Sequence, residues 1–396
     1  MPKRAVILSG SLGLGHDVVS EVVSASLAGF GWDSRTLDCM RLLGPRAGRA
    51  GDWVFRRLMA MPGVFDGLHF AHLRAGSRVA TAMDRAATPR LVSALRSELE
   101  REPADLVISV FAAGVPAAAE LAGSRPWPRA VVLCPDALPH ATWVRPGIDL
   151  FLVTSPAGAA GVRRYLPRAR VGVVPPPVRP AFAHLRPPAQ ARASLGIPAD
   201  ARCVLLMGGG WGLGPVEGAA RALAAAGVHV LAVAGRNRRL ADRLESLAAG
   251  SPRVHPFGFT PRIAELMSAC DLVVTLPGAL TCGEARVAGR RLVLLDAMPG
   301  HGRENLQHEL ELGGAEACSP RPPEITASVL AALDRPALDR PAPGRRASSR
   351  PRPAGAGVAG EDWDEAFAAA LASIGLARES PGGRPNAPTF REAGYP

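Results

Sequence analysis

Short apolar runs recur along this chain, each closed by a glycine or a polar turn, with helical stretches between them. They lie at residues 5–9, 105–109, 130–134, 150–154 and 171–174, with a polar-apolar strand at 33–37, and again at 203–207, 228–233, 253–257, 272–275 and 291–295. Runs this short and this apolar read as strands buried on both faces. Alternated with helical patterns such as residues 89–102, they predict parallel sheets covered by helices on each side, an α/β fold. Between the two series, prolines at 175–177, 180, 187 and 188 interrupt both periodicities and mark a connection between domains. The expected layout is one domain over residues 1–178 and a second over 179–333. A Pro/Arg-rich linker follows at 334–360, then a helix at 361–377 with acids in its first turn, then a disordered tail at 378–396.

The 396 residues suffice for two cores, and with aromatics at 5% those cores must be built mainly from Ala, Val and Leu. A net charge of +11 favours anionic partners: a nucleotide, an acidic membrane surface or nucleic acid. The last is disfavoured, because no aromatic platform interleaves the arginines and no zinc-finger spacing occurs. The six cysteines are scattered through apolar runs, which predicts buried free thiols in a reducing cytosol rather than a disulfide framework or metal site. Lys3 and Arg4 before an apolar run imitate a signal peptide, but the run breaks at Ser9-Gly10-Ser11 and reads better as a first strand. No other stretch approaches the ~18 apolar residues that span a bilayer. The expectation is a cytoplasmic protein, soluble or peripheral on the inner face of the plasma membrane.

Ligands in such sheets bind beyond the carboxyl ends of the strands, so the turns there carry the chemistry. The run at 272–275 leads into Pro277-Gly278-Ala279-Leu280-Thr281 and a helix with Glu284 expected in its first turn. A helix start offers unpaired N–H groups and a positive dipole end, and small residues let an anion approach. A carboxylate beside that site can grip a sugar hydroxyl, which suits a nucleotide diphosphate carrying a sugar. Residues 208–214, including Gly209 and Gly210, hold five glycines and can wrap a diphosphate with backbone N–H groups or act as a hinge. No Gly-Lys-Ser/Thr follows, which excludes a P-loop. In the first domain, Gly10, Gly13 and Gly15 precede His16. A histidine at a helix start is held neutral and can take a proton from an acceptor hydroxyl, or it can merely bond locally. The glycine order departs from the dinucleotide fingerprint, which argues against a dehydrogenase using Asp38 as ribose ligand. Asp136, after the run at 130–134, either assists His16 or belongs to a Pro-Asp turn. His301 and Asn305, after Asp296, reach sugar hydroxyls or are solvated loop residues. Residues 41–78 mix apolar and basic side chains as interfacial segments do, or form a core helix with a solvated face. The arginines at 335–352 add attraction to anionic lipid or are an inert linker.

Together these pieces resemble the GT-B glycosyltransferases that comprise monogalactosyldiacylglycerol synthase, processive diacylglycerol glucosyltransferase and the lipid II N-acetylglucosaminyltransferase. The resemblance covers roughly residues 5–330. Residues 205–214 look like that family's diphosphate loop, and Gly235-Arg236-Asn237 like its turn beside the nucleotide. Gly258-Phe259 with residues 263–271, and Pro277-Gly278-x-x-Thr281-x-x-Glu284, look like its donor segment, in which the glutamate binds ribose. Gly13-Leu-Gly15-His16 resembles the loop whose histidine activates the acceptor. Asp136-x-x-x-His140-x-x-Trp143 with Asp149 resembles the lipid-transferring members.

The resemblance implies two Rossmann-like domains whose parallel sheets face an interdomain cleft. It implies inverting transfer from a nucleotide sugar, usually a UDP-sugar, to a lipid or other hydroxyl acceptor, with no metal and no bound cofactor. By it, His16 and Asp136 are the catalytic pair. Gly209, Gly210, Gly235, Arg236, Asn237, Phe259, Gly278, Ala279, Leu280, Thr281, Glu284, His301 and Asn305 hold the donor, and Gly13, Gly15, His140 and Trp143 lie on the acceptor side. The chain departs from the family pattern at Phe111, Leu276, Leu280, His301 and Gly302, which leaves the sugar and acceptor open. A sugar-nucleotide epimerase or hydrolase on the same fold, and a non-catalytic nucleotide-sugar sensor, are the alternatives.

Overall fold

The computed structural model describes residues 2–10, 15–59, 61–74, 77–123, 128–335 and 362–376. Each apolar run forms a strand within a residue or two of its expected place. β1 (Arg4–Ser9), β2 (Asp33–Asp38), β3 (Leu106–Ser109), β4 (Arg129–Cys134), β5 (Leu150–Val153) and β6 (Val171–Val173) form the first sheet, in the order β2-β1-β3-β4-β5-β6. β7 (Cys203–Met207), β8 (His229–Val233), β9 (Val254–Phe257), β10 (Leu272–Thr275), β11 (Arg291–Leu295) and β12 (Ala315–Cys318) form the second, in the order β12-β11-β10-β7-β8-β9. The pairings are parallel, as in β1 with β3 and β7 with β10. β12 has no apolar run: Ala315-Glu-Ala-Cys318 sits at an edge, and its pairing with β11 makes it a strand.

Both faces of each sheet are buried. In the second, Val204 and Leu206 pack to one side while Cys203, Leu205 and Met207 pack to the other. The six cysteines are free and buried, as their apolar settings predict. The helix expected at 89–102 begins already at Arg78 and carries Pro89 in its interior, so this proline is not a helix start.

The last described helix, Trp363–Ala372, lies within the span expected for it but belongs to the first domain. Phe367, Leu371, Ile374 and Leu376 join Ile7, Ile108 and Leu152 in one core. Trp363 stacks on Phe367 at 5.1 Å and donates its indole N–H to Ser26 Oγ at 2.8 Å. The chain thus leaves the second sheet and returns to close the core of the first. The expected linker, apart from its first two residues, and the expected tail fall outside the described residues. Among the described residues no helix is long and apolar enough to cross a membrane.

Candidate active site

Strand order reverses between β1 and β3 in the first sheet and between β7 and β10 in the second. A reversal opens a crevice at the carboxyl ends of the two central strands. The residues picked out by motif follow β1, β4, β7, β8, β9, β10 and β11 at the carboxyl ends of both sheets, and the two crevices belong to one interdomain site. Across it, Asn305 Nδ2 donates to Asp136 Oδ1 at 3.2 Å, and the Ala137 amide donates to Asn305 Oδ1 at 2.9 Å. Glu304 meets His69 Nε2 and Arg74 Nε, each at 3.1 Å. Asp66 accepts from the Gly300 amide at 2.7 Å and from Arg303 Nε at 2.9 Å.

His16 lies in the first turn of the helix Gly15–Gly29. Its Nδ1 sits 2.8 Å from the Val110 carbonyl, just beyond β3. A carbonyl only accepts, so Nδ1 carries the proton and neutral His16 keeps its lone pair on Nε2. Burial pushes the imidazole below its ordinary pKa, against the opposing pull of Asp136 and of the Val110 bond. The direction matches the expectation, but burial rather than the helix start is the main cause. Phe111 packs edge-on to His16 with ring centroids 5.0 Å apart. Gly10 admits it: a Cβ there would lie 2.4 Å from the Phe111 ring.

Asp136 faces His16 without being its hydrogen-bond orienter, a task that falls to Val110. Burial alone would raise the Asp136 carboxyl, but His301, His16, the Asn305 bond and His140 outweigh it and hold the group below its usual value. His140 bonds Thr142 Oγ1 at 2.7 Å and is held down to about 3 by burial and by His69. Trp143 is buried, 6.5 Å from His16 and 6.2 Å from His140 between centroids, and its indole N–H has no partner among the described residues. Gly15 opens the His16 helix, and a Cβ on it would meet open space. Gly13 lies outside the described residues.

On the side expected to hold the donor, the helix Ala279–Val287 starts after Gly278, with no side-chain cap among the described residues. The helix begins earlier than expected, at Ala279 directly after the extended Gly278 (φ −82, ψ 124), so Glu284 falls in the second turn rather than the first. Ala279, Leu280 and Thr281 supply that first turn, and space around Gly278 is open. Glu284 is fully buried and held by Arg179, Nε to Oε1 and Nη2 to Oε2, both at 2.6 Å. Burial raises its carboxyl, and Arg179 opposes that rise.

The glycines at 208–214 serve partly to fold the loop on itself. Leu213 N donates to Gly208 O at 2.8 Å, and Arg236 N donates to Gly210 O at 2.9 Å. Gly235 has φ +58 and would place a Cβ 2.6 Å from Gly210 O, so the two turns interlock only as glycine. Gly209, also at positive φ, borders open space. Asn237 Oδ1 caps the helix Arg238–Ala249 through Leu240 N at 3.1 Å. The Arg236 guanidinium lies 4.9 Å from the ring of the exposed Phe259.

His301 and Asn305 are not loop residues. They open and line the helix His301–Leu312, with Asn305 buried and His301 6.3 Å from His69 between centroids. Asp38 caps the short helix Cys39–Leu42 through Met40 N at 2.7 Å, which accounts for it without a ribose. Asp149 sits at the opposite end of the first sheet, bonding Arg129 at 2.7 Å and the Ala130 amide at 2.8 Å. Sequence reasoning missed Val110, Arg179 and Glu304, and read Asp66 and Arg74 only as part of the 41–78 segment. Each acts through a partner 94 or more positions away. Within residues 41–78, the helix Pro45–Met59 and the short helical segments Pro62–Leu68 and His69–Leu73 with the residue before them expose Trp53, Val54, Met61, Val64 and Phe70. Arg46, Arg49 and Arg57 are exposed beside them.

Residues 215–319 match the family model for the glycosyltransferase family 28 C-terminal domain. The chain is 33% identical over 185 residues to the chloroplastic monogalactosyldiacylglycerol synthase of Spinacia oleracea, covering 44% of this chain and 35% of that protein. It is 34% identical over 202 residues to the chloroplastic monogalactosyldiacylglycerol synthase 1 of Arabidopsis thaliana, covering 48% of this chain and 37% of that one. The match thus spans little more than a third of those relatives' length. The crystal structure of MurG from Acinetobacter baumannii superposes with a TM-score of 0.53 at 16% identity, covering 84% of this chain and 91% of that one, a likeness of fold. The chain therefore has the GT-B architecture, and its residues 215–319 are similar to the glycosyltransferase family 28 C-terminal domain.

Proposed function

We propose that the chain is an inverting glycosyltransferase that moves a sugar from a nucleotide sugar, a UDP-sugar first, to a hydroxyl of a diacylglycerol-like lipid acceptor. The observation that carries this reading is the His16–Val110 bond, which leaves Nε2 of a neutral imidazole as a base, while the start of the helix Ala279–Val287 offers N–H groups that its N-cap Gly278 leaves without a side-chain cap. In the reaction the acceptor oxygen bonds to the anomeric carbon from the face opposite the leaving group. The bond from that carbon to the diphosphate oxygen breaks, and the diphosphate departs with the electron pair. The acceptor proton passes to His16 Nε2, and Asp136 stabilises the imidazolium that forms. Backbone N–H groups at the start of the helix Ala279–Val287 meet the charge that grows on the leaving group. That division of labour requires no metal and no bound cofactor. The relatives named as monogalactosyldiacylglycerol synthases support a lipid acceptor. The apolar and basic surface around Trp53 suits docking on an anionic membrane from the cytoplasmic side.

A panel of UDP- and dTDP-sugars, assayed with diacylglycerol and with water-soluble hydroxyl acceptors, tests the proposal. Transfer that survives chelation and is lost in His16→Ala and Glu284→Ala is the expected result. Unchanged turnover in those variants overturns it. Product formed without acceptor would indicate an epimerase or hydrolase, and tight binding without turnover a sensor.

A further inference from the structure

Glu284 lies on the donor helix, but the side chain that holds it comes from elsewhere. Arg179 stands on the connector between β6 and the second domain, just beyond the prolines at 175–177. The connector lies directly on the donor helix: a Cβ added to Gly283 would come within 3.1 Å of Pro176 and 3.7 Å of Val178. Prolines fix φ along it, so the point from which Arg179 reaches is set by the backbone. The Arg179 guanidinium sits 5.8 Å from the Phe182 ring and makes a two-bonded fork on the carboxylate. From the first domain, Glu21 on the helix Gly15–Gly29 feels the same guanidinium. The cation on the donor helix itself, Arg286, is taken by Glu309 at 2.8 Å.

A carboxylate with no exposed surface, left to itself, takes up a proton and then presents a donor where an acceptor is needed. A guanidinium fork prevents this and also fixes the carboxylate plane. It uses one lone pair on each oxygen, and an ionised carboxylate has about four. We propose that Arg179 is a positioning residue for donor recognition, which from the interdomain connector holds Glu284 as an oriented anion for the paired hydroxyls of the donor's nucleoside. The inference rests on the reading that a nucleotide sugar binds at this helix. Reaching Glu284 requires local opening, and through that opening the fork keeps charge and orientation in place.

The test is calorimetric binding of UDP between pH 6 and 8.5 to the full chain and to Arg179→Gln, Arg179→Lys and Glu284→Gln, with thermal melts confirming that each is folded. Wild type is expected to bind with little pH dependence. Arg179→Gln should bind about tenfold or more weakly at pH 6 and recover as pH rises, because each unit by which the Glu284 pKa stands above the pH costs about tenfold in the ionised fraction. Arg179→Lys, which keeps the charge but loses the fork, should bind more weakly at all pH values with the flat profile restored. Glu284→Gln should be weak and flat. A flat profile in Arg179→Gln overturns the inference, whatever its affinity, since a merely structural arginine would not change the pH dependence. Unaltered UDP binding in Glu284→Gln overturns the donor-site reading itself, and the two failures are thereby told apart.

Discussion

His16 donates through Nδ1 to the carbonyl of Val110, and this single bond decides which nitrogen of the ring can act as a base. His16→Ala is expected to lower kcat by about 10²–10⁴, the usual contribution of a positioned general base. Donor binding, read by thermal shift with UDP, should stay near wild type. The folded pKa of His16 is lowered, so the neutral form persists below the ordinary value of 6.5. The acid limb of kcat should therefore lie below pH 6.5, and a limb above it would place the proton on another group.

Asn305 ties the two domains by accepting from Ala137 N and donating to Asp136. Asn305→Ala leaves a buried amide and one carboxylate oxygen short of a partner, at a cost of about 1–3 kcal/mol. A lowered Tm together with a loss in kcat is expected, because Asp136 faces His16. A change in Tm alone would reduce Asn305 to a packing role.

His140 titrates near 3 in the fold against 6.5 when unfolded. Below pH 6.5 the unfolded chain binds a proton that the folded chain refuses, so the native state loses stability as pH falls from 6.5 towards 3. Above 6.5 this contribution is fully present. His140→Gln should flatten the dependence of Tm on pH between 6.5 and 4.5, and an unchanged slope would assign the acid sensitivity elsewhere.

Phe367 is fully buried in the core of the first domain although it follows the second in sequence. Phe367→Ala is expected to destabilise by about 3–5 kcal/mol. Denaturant unfolding followed at Trp363, which stacks on it, reads the loss where it occurs.

Trp53 is 64% exposed on a helix with exposed arginines, so its substitution should leave folding intact. Trp53→Glu is expected to reduce sedimentation with anionic liposomes at low salt without altering Tm. Equal sedimentation of wild type and variant would remove this surface from the docking reading.

Much of the architecture was legible because buried parallel strands advertise themselves. Residues 203–207 and 272–274 are apolar without interruption, since both faces of the sheet are covered. β12 was not legible, because an edge strand needs no apolar run and Glu316 stands within it. The glycine turns were legible as turns, but their purpose was divided: Gly235 serves the approach of Gly210, while Gly209 faces open space.

The sequence by itself determined two parallel sheets, the turns at their carboxyl ends and the chemistry available there, in His16, Asp136, Glu284 and Asn305. Those follow from local rules, in which a run of side chains fixes a strand and glycines fix what comes after it. Tertiary structure alone decided the partners. Val110 selects the tautomer of His16, Asn305 joins Asp136 across the cleft, Arg179 holds Glu284 from the connector, and the helix Trp363–Ala372 closes the first core. Hydrogen bonds and ion pairs act over about 3 Å in space whatever the separation in sequence. Residues 94, 169 and 105 positions apart therefore carry no local sign that they will meet.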